Sequence, residues 1–302
     1  MSLAGLLKPC YVFAPRTLVR RVGMSFRAPR GSARVVRLPW GGVLEVNPNE
    51  GIGRELVHQN VFDIAVTETA WRLLHPGDVA VDVGANIGYM TSLFAARVGR
   101  EGHVEAFEPH PRIFARLREN VSHFGLPAAP AKLGLHECAL GSHDGTARLF
   151  ESSVFSLNEG ASTLATTRET ESREQQPSFE VRVARLDGVI NDCEIALLKV
   201  DVEGFEGEVF AGAHQLLASR KIRNIVYEAH DCERSQLHEL LSGYGYAIFG
   251  IGHDLFGPRI TTGSAAPRVD RIWESPSYLA TLTPALALPV LRPRGWSVLH
   301  AC

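Results

Sequence analysis

The apolar positions change period along the chain, and each change marks an element. Residues 43–46 are mostly apolar and lie between the turn-forming Trp40-Gly41-Gly42 and Asn47-Pro48-Asn49, which predicts a short strand between turns. Over 61–74 the apolar spacing becomes helical until His75-Pro76-Gly77-Asp78 breaks it. Residues 79–83 then form a near-continuous apolar run closed by glycines, the pattern of a strand buried on both faces. A helix over 89–98 and a strand over 104–108 follow. The next helix has Pro111 in its first turn and an apolar face of Ile113, Phe114, Leu117, Val121 and Phe124. A third strand is predicted over 135–140. Further strands are predicted over 195–202, 222–227, 246–249 and 278–282, with helices near 205–217 and 232–241. Strands and helices alternating at this rhythm predict a mostly parallel sheet covered on both faces. Two segments of period two, 147–150 and 179–183, interrupt the rhythm and predict an exposed β insertion over about 145–185. Its polar stretch, 166–177, reads as a loop over the site, where Ser162 and Thr163 either bond a substrate or cap a turn.

Composition sets bounds. The chain has 302 residues, 45% hydrophobic and 21% charged, which suits one large folded domain with small appendages. The expected division is a basic arm with a small β element over 1–60, a main domain over 61–285 and a tail over 286–302. The net charge of −2 does not suit a nucleic-acid partner, although eight basic residues precede the first acid, Glu45. That arm reads as a solvated extension, with an anionic partner as the sharper alternative. Cys10, Cys138, Cys193, Cys232 and Cys302 are scattered and lack C-x-x-C spacing, which argues against disulfides and zinc and for a reducing, cytoplasmic location. No apolar run reaches the ~18 residues of a membrane span, and the mildly apolar start lacks the basic n-region of a signal peptide.

In such sheets ligands sit at the carboxyl ends of the strands. The first strand ends Asp82-Val83-Gly84-Ala85-Asn86-Ile87-Gly88, and the second ends in Glu108. Glycine lets the backbone approach a ligand, and an acid at the next strand end suits the two hydroxyls of a ribose. The glycine spacing is G-x-x-x-G rather than the dinucleotide G-x-G-x-x-G, and Asp82 would repel a pyrophosphate while attracting a cation. A ligand with a ribose, an ammonium and a sulfonium but no phosphate is S-adenosylmethionine.

Four segments together resemble the FkbM family of S-adenosylmethionine-dependent methyltransferases. They are Pro76-Gly77-Asp78, residues 81–88, Ala106-Phe107-Glu108-Pro109 and Leu198-Lys199-Val200-Asp201-Val202-Glu203-Gly204-Phe205-Glu206, the last similar to the family's K-x-D-x-E-G-x-E. The likeness spans about 60–230. It implies a class I, Rossmann-like three-layer α/β sandwich, mostly parallel, with an antiparallel C-terminal strand. It further implies that Gly84, Ala85, Asn86 and Gly88 hold the methionine part with Asp82 nearby. Glu108 would hold the ribose, and Glu137, Cys138 and Ala139 would line the adenine. Asp201 would lie near the methyl group and Glu68 near the methionine amino group. The implied reaction is methyl transfer to a hydroxyl of a small molecule, a sugar or a natural-product scaffold, without a metal.

An alcohol acceptor needs a base. Asp201, Glu203, Glu206, Glu228 and His230 lie near strand ends, with His230 favoured by its titration range and Asp201 by position. The plainer reading of Asp201, Glu203 and Glu206 is that acids complement a helix N-terminus. The rival functions are an NAD-dependent oxidoreductase, an RNA methyltransferase served by the basic arm, and a binding protein without catalysis.

Overall fold

Strands with apolar side chains on both faces can be buried only between two helical layers, and the central strands here take that solution. The structure, a computed structural model, describes residues 9–13, 33–126, 131–151, 162–165, 176–190, 193–229, 234–262 and 276–301. In chain order its elements begin with α1 (Pro9–Val12), β1 (Arg34–Arg37), β2 (Val43–Val46), α2 (Gly51–Gln59), α3 (Ile64–Leu73), β3 (Val79–Val83), α4 (Tyr89–Val98), β4 (His103–Phe107), α5 (Pro111–Ser122) and β5 (Lys132–His136). An insertion carries β6 (Ala139–Leu140), β7 (Gly145–Glu151), β8 (Ser162–Ala165) and β9 (Ser178–Ala184). The chain then runs through α6 (Leu186–Val189), β10 (Ile195–Val200), α7 (Glu206–Ala211), α8 (His214–Ala218), β11 (Ile222–Glu228), α9 (Arg234–Gly243), β12 (Ala247–Asp254), β13 (Gly257–Thr262), β14 (Ser277–Thr281) and α10 (Pro284–Leu291).

The main sheet has the order β13-β12-β14-β11-β10-β3-β4-β5. From β11 to β5 all neighbours are parallel, and β14 inserts antiparallel between β11 and β12. The chain therefore starts at β3, works outward to β5, and returns to the other side of β3 with β10. The strand order reverses between β3 and β10, which opens a crevice at their carboxyl ends. The sheet is mostly parallel with an antiparallel C-terminal strand, β14, as the sequence predicts.

Period-two alternation divides the core. Val81, Val83, Leu198, Val200, Ile225 and Tyr227 share one cluster with Val209 and Phe210 of α7, Leu217 of α8 and Leu241 of α9. Ala80, Leu197 and Val226 share the other with Ala70 of α3, Phe94 of α4 and Leu291 of α10.

The structure departs from the sequence reading in several places. Residues 34–37, assigned to the arm, form β1 and pair antiparallel with β2. The strand expected over 135–140 is two: β5 stops at His136, and β6 joins the insertion sheet by pairing with β9. The helix expected over 205–217 is broken into α7 and α8 at Gly212, where a Cβ would stand 2.0 Å from the Gly141 carbonyl oxygen. The expected insertion is a four-stranded sheet of order β6-β9-β7-β8, in which Ala147 pairs with Val181.

The segment read as a tail is folded onto α3. Glu68 is fully buried, and its carboxylate accepts the backbone N–H groups of Ser297 at 2.7 Å and Val298 at 2.8 Å. Arg72, one turn on, donates to Glu68 at 2.6 Å and to the carbonyls of Pro293 and Gly295 at 2.7 and 2.8 Å. It thereby ties down carbonyls just beyond the end of α10. Among the described residues, no helix is long and apolar enough to cross a membrane.

Removing one partner of a buried, hydrogen-bonded ion pair costs about 3–5 kcal/mol, because the other charge stays buried. Glu68→Ala is therefore expected to lower unfolding stability by about that amount in urea titration at pH 7, and a loss below ~1 kcal/mol would show that the clasp contributes little.

Candidate active site

The register of the sheet builds the site. Asp82 on β3 stands opposite Lys199 on β10, and both alternate onto the α3 face. Asp201, two residues beyond Lys199, continues the same row past the strand end. Lys199 Nζ lies 3.5 Å from Asp82 Oδ1, 3.2 Å from Asp201 Oδ2 and 3.2 Å from the Gly84 carbonyl oxygen, to which it donates. Thr91, on the first turns of α4, donates to Asp82 Oδ2 at 2.6 Å. Asp82 is fully buried, and burial raises its pKa against the opposing pull of Lys199 and Thr91. The carboxylates of Asp201 and Asp82 outweigh burial at Lys199 and hold it protonated.

The loop after β3 is shaped by what lies beneath it. Gly84 has φ +77°, and a Cβ there would stand 1.9 Å from the Asp201 carbonyl oxygen. The loops after β3 and β10 therefore touch backbone to backbone, which only glycine permits. Asn86 also has a positive φ, 49°, and its side chain accepts the Ile87 N–H at 2.7 Å. Gly88, at φ +93°, precedes α4 and packs against Leu117. Glu108 closes this side: its carboxylate accepts the Asn86 N–H and the His110 N–H, each at 2.9 Å. Burial pushes its pKa up to about 7.

On the other side of the row stands a second group of acids. Glu203 has φ 54° in the loop after β10, and burial with the nearby Asp201 and Glu206 charges raises its pKa to about 7. Burial first, then Asp201, Asp63 and Glu203, raises Glu228 at the end of β11. Asp63 caps α3 by accepting the Val66 N–H at 3.1 Å and is itself raised by burial. Glu206 is turned inward, where Oε1 accepts the Val202 and Gly204 N–H groups at 3.2 and 3.4 Å.

The structure thus brings together Asp82, Gly84, Ala85, Asn86, Gly88, Glu108, Asp201 and Glu203 of the sequence-predicted residues. Glu68 is not among them: the carboxylate expected beside the methionine amino group is occupied by Arg72 and the backbone of Ser297 and Val298. Glu137 is exposed, Cys138 lies in the core with its thiol pKa raised by burial, and Ala139 pairs with Val183 in the insertion sheet. His230 lies outside the described residues, as does most of the 166–177 loop. The sequence reading carries Lys199 only within its motif and leaves Asp63 and Thr91 out of the site. Lys199 was recoverable, since a lone cation in an apolar strand run needs a carboxylate partner. Asp63 falls inside the apolar pattern that begins at 61, so that pattern does not mark it as a cap. Among the described residues, no three His, Cys, Asp or Glu side chains are placed to hold a metal ion.

Comparison with known proteins adds family evidence. Residues 82–248 match the methyltransferase FkbM domain. The chain is 32% identical over 248 residues to the 31-O-demethyl-FK506 methyltransferase FkbM of Streptomyces tacrolimicus, covering 73% of this chain and 92% of that protein. It is 30% identical over 156 residues to the hexuronic acid methyltransferase AglP of Haloferax volcanii, covering 51% of this chain and 56% of that protein. Among solved structures, a methyltransferase FkbM from Methylobacillus flagellatus aligns with a TM-score of 0.43 at 14% identity, over 75% of this chain and 60% of that one.

The raised carboxyl of Glu203 has a consequence for stability. Such a group contributes stability that is fully present below its unfolded pKa and is lost as the pH rises through the folded value, here about 7. The thermal midpoint of the ligand-free protein is expected to fall between pH 6 and pH 8 by less in Glu203→Gln than in the wild type. Calorimetry at pH 6, 7 and 8 checks this, and equal falls in both proteins would mean that Glu203 ionises as it does in water.

Proposed function

Since the chain belongs to the FkbM methyltransferase family and is a methyltransferase, we propose that it moves a methyl group from S-adenosylmethionine to a hydroxyl of a small molecule, a sugar or a natural-product scaffold. The observation that carries the donor assignment is the row Asp82–Lys199–Asp201, its first two members buried, beside Glu108 at the point where the strand order reverses. Asp82 Oδ1 is buried with the Lys199 ammonium 3.5 Å away, and the Asp82–Asp201 pair carries one more negative charge than Lys199 offsets, which suits a ligand ammonium near the Gly84–Gly88 loop. Glu108, one strand over, suits the ribose hydroxyls. The names of the two curated relatives support a small-molecule acceptor, since one refers to a 31-O-demethyl compound and the other to a hexuronic acid.

When bound, the donor supplies a methyl carbon activated by its sulfonium. Asp82, Asn86 and Glu108 hold that group in place, and Lys199 fixes Asp201 by their ion pair. Alignment of nucleophile, carbon and leaving sulfur is the main catalytic contribution. The O–C bond forms as the C–S bond breaks, and the acceptor's proton passes to a carboxylate of the Asp201–Glu203–Glu228 group. A pKa of about 7 at Glu203 suits a base working near neutral pH. The excess of acids at this mouth opposes a polyanionic acceptor, which disfavours RNA. The scattered cysteines suit a cytoplasmic setting.

Titration calorimetry with S-adenosylhomocysteine tests the donor site: wild type binds, and Glu108→Ala weakens binding at least tenfold. Asp201→Asn is expected to bind the same ligand while losing about 10²-fold or more in transfer of a radiolabelled methyl group into a metabolite extract. Undiminished binding by Glu108→Ala would overturn the donor reading, and undiminished transfer by Asp201→Asn would remove that residue from the chemistry.

A further inference from the structure

The turn that carries Glu108 is held from its far side by the insertion sheet. His110 is fully buried and sits just ahead of α5. Its backbone N–H donates to Glu108 Oε1 at 2.9 Å. Its ring Nδ1 accepts the Arg112 N–H at 3.2 Å and so caps the helix. The ring hydrogen therefore belongs on Nε2, which lies 3.0 Å from Glu151 Oε1 at the end of β7. Arg112 pairs with the same Glu151 oxygen. Phe179 of β9 packs against the His110 ring at 4.7 Å between centroids, and the Arg112 guanidinium lies over it at 5.7 Å. Two strands of the insertion thus grip a single imidazole, and that residue's peptide grips Glu108.

We propose that Glu151 is a positioning residue for donor binding: through the His110 ring it fixes the peptide N–H that orients the Glu108 carboxylate. The proposal rests on the reading that Glu108 holds the donor ribose. Without Glu151, the buried Nε2–H of His110 loses its acceptor. The ring then shifts to recover one, and the tie from the insertion to the His110 backbone is lost. The His110 peptide and the carboxylate it holds lose their fixed positions. The β insertion would in this way serve the donor side of the site, in addition to any cover it gives the acceptor.

The test is titration calorimetry of the full chain with S-adenosylhomocysteine for wild type, Glu151→Ala, His110→Asn, Glu108→Gln and the double variant Glu151→Ala/Glu108→Gln. Asn at 110 keeps a good helix-capping acceptor but does not reach Glu151, so it cuts the relay and spares the cap. Glu151→Ala and His110→Asn are each expected to raise the dissociation constant about tenfold, the scale of one lost charge-assisted hydrogen bond. In the Glu108→Gln background, Glu151→Ala is expected to add less than about twofold, because the group it positions has been altered. If Glu151→Ala does not fold by calorimetry, His110→Asn with and without Glu108→Gln forms the same cycle. A wild-type dissociation constant in folded Glu151→Ala and His110→Asn, with Glu108→Gln weakened, overturns this inference alone. A full tenfold loss that persists beside Glu108→Gln also overturns it, since the insertion would then act by general loosening. Wild-type affinity in Glu108→Gln overturns the ribose reading, and this inference with it.

Discussion

A lysine and an aspartate, both buried and facing each other across neighbouring parallel strands, set the terms for the whole carboxyl edge of this sheet. Neither charge is tolerable there alone, because taking an ion out of water costs several kcal/mol unless a partner offsets it. The pairing of Lys199 with Asp82 fixes the register of β10 on β3, and that register determines where Asp201 and the Gly84 loop fall. One ammonium serves two carboxylates and a carbonyl oxygen, so the neighbourhood keeps an excess of negative charge. Asp63, Glu203 and Glu228 stand nearby, and burial raises each toward its neutral form, so they are acids that a cation would help to ionise. A site of this kind favours a ligand that brings positive charge with it.

Much of this was legible in the chain. The strands β3, β10 and β11 are apolar on both faces, and a pattern that leaves no polar side admits only a covered parallel strand. The glycine spacing after β3 and the acid after β4 located the crevice, because both follow from local geometry. The residues that misled are those whose role depends on distant partners. Glu68 reads as a site acid, and only the return of residues 297 and 298 to α3 shows that it is spoken for. Leu135 to Leu140 reads as one strand, since no local signal marks where a chain leaves one sheet for another. Gly212 looks like any helical glycine until Gly141 is seen pressed against it. Asp63 is hidden for a different reason: the apolar pattern begins at 61, which places it inside the predicted helix and not at its cap.

The clasp between α3 and residues 293–298 has a bearing on how the molecule is made. Asp63 opens the same helix that Glu68 and Arg72 tie down, so one wall of the crevice is anchored by a segment more than two hundred positions away in sequence. During synthesis that segment leaves the ribosome more than two hundred residues after α3. Until it arrives, Arg72 and Glu68 have only each other, and the backbone groups they will serve are still in the exit tunnel. The parallel strands from β3 to β11 have all emerged before then. The wall of the crevice is therefore completed only after the parallel half of the sheet is out, and the nascent protein has those strands before its full ligand geometry.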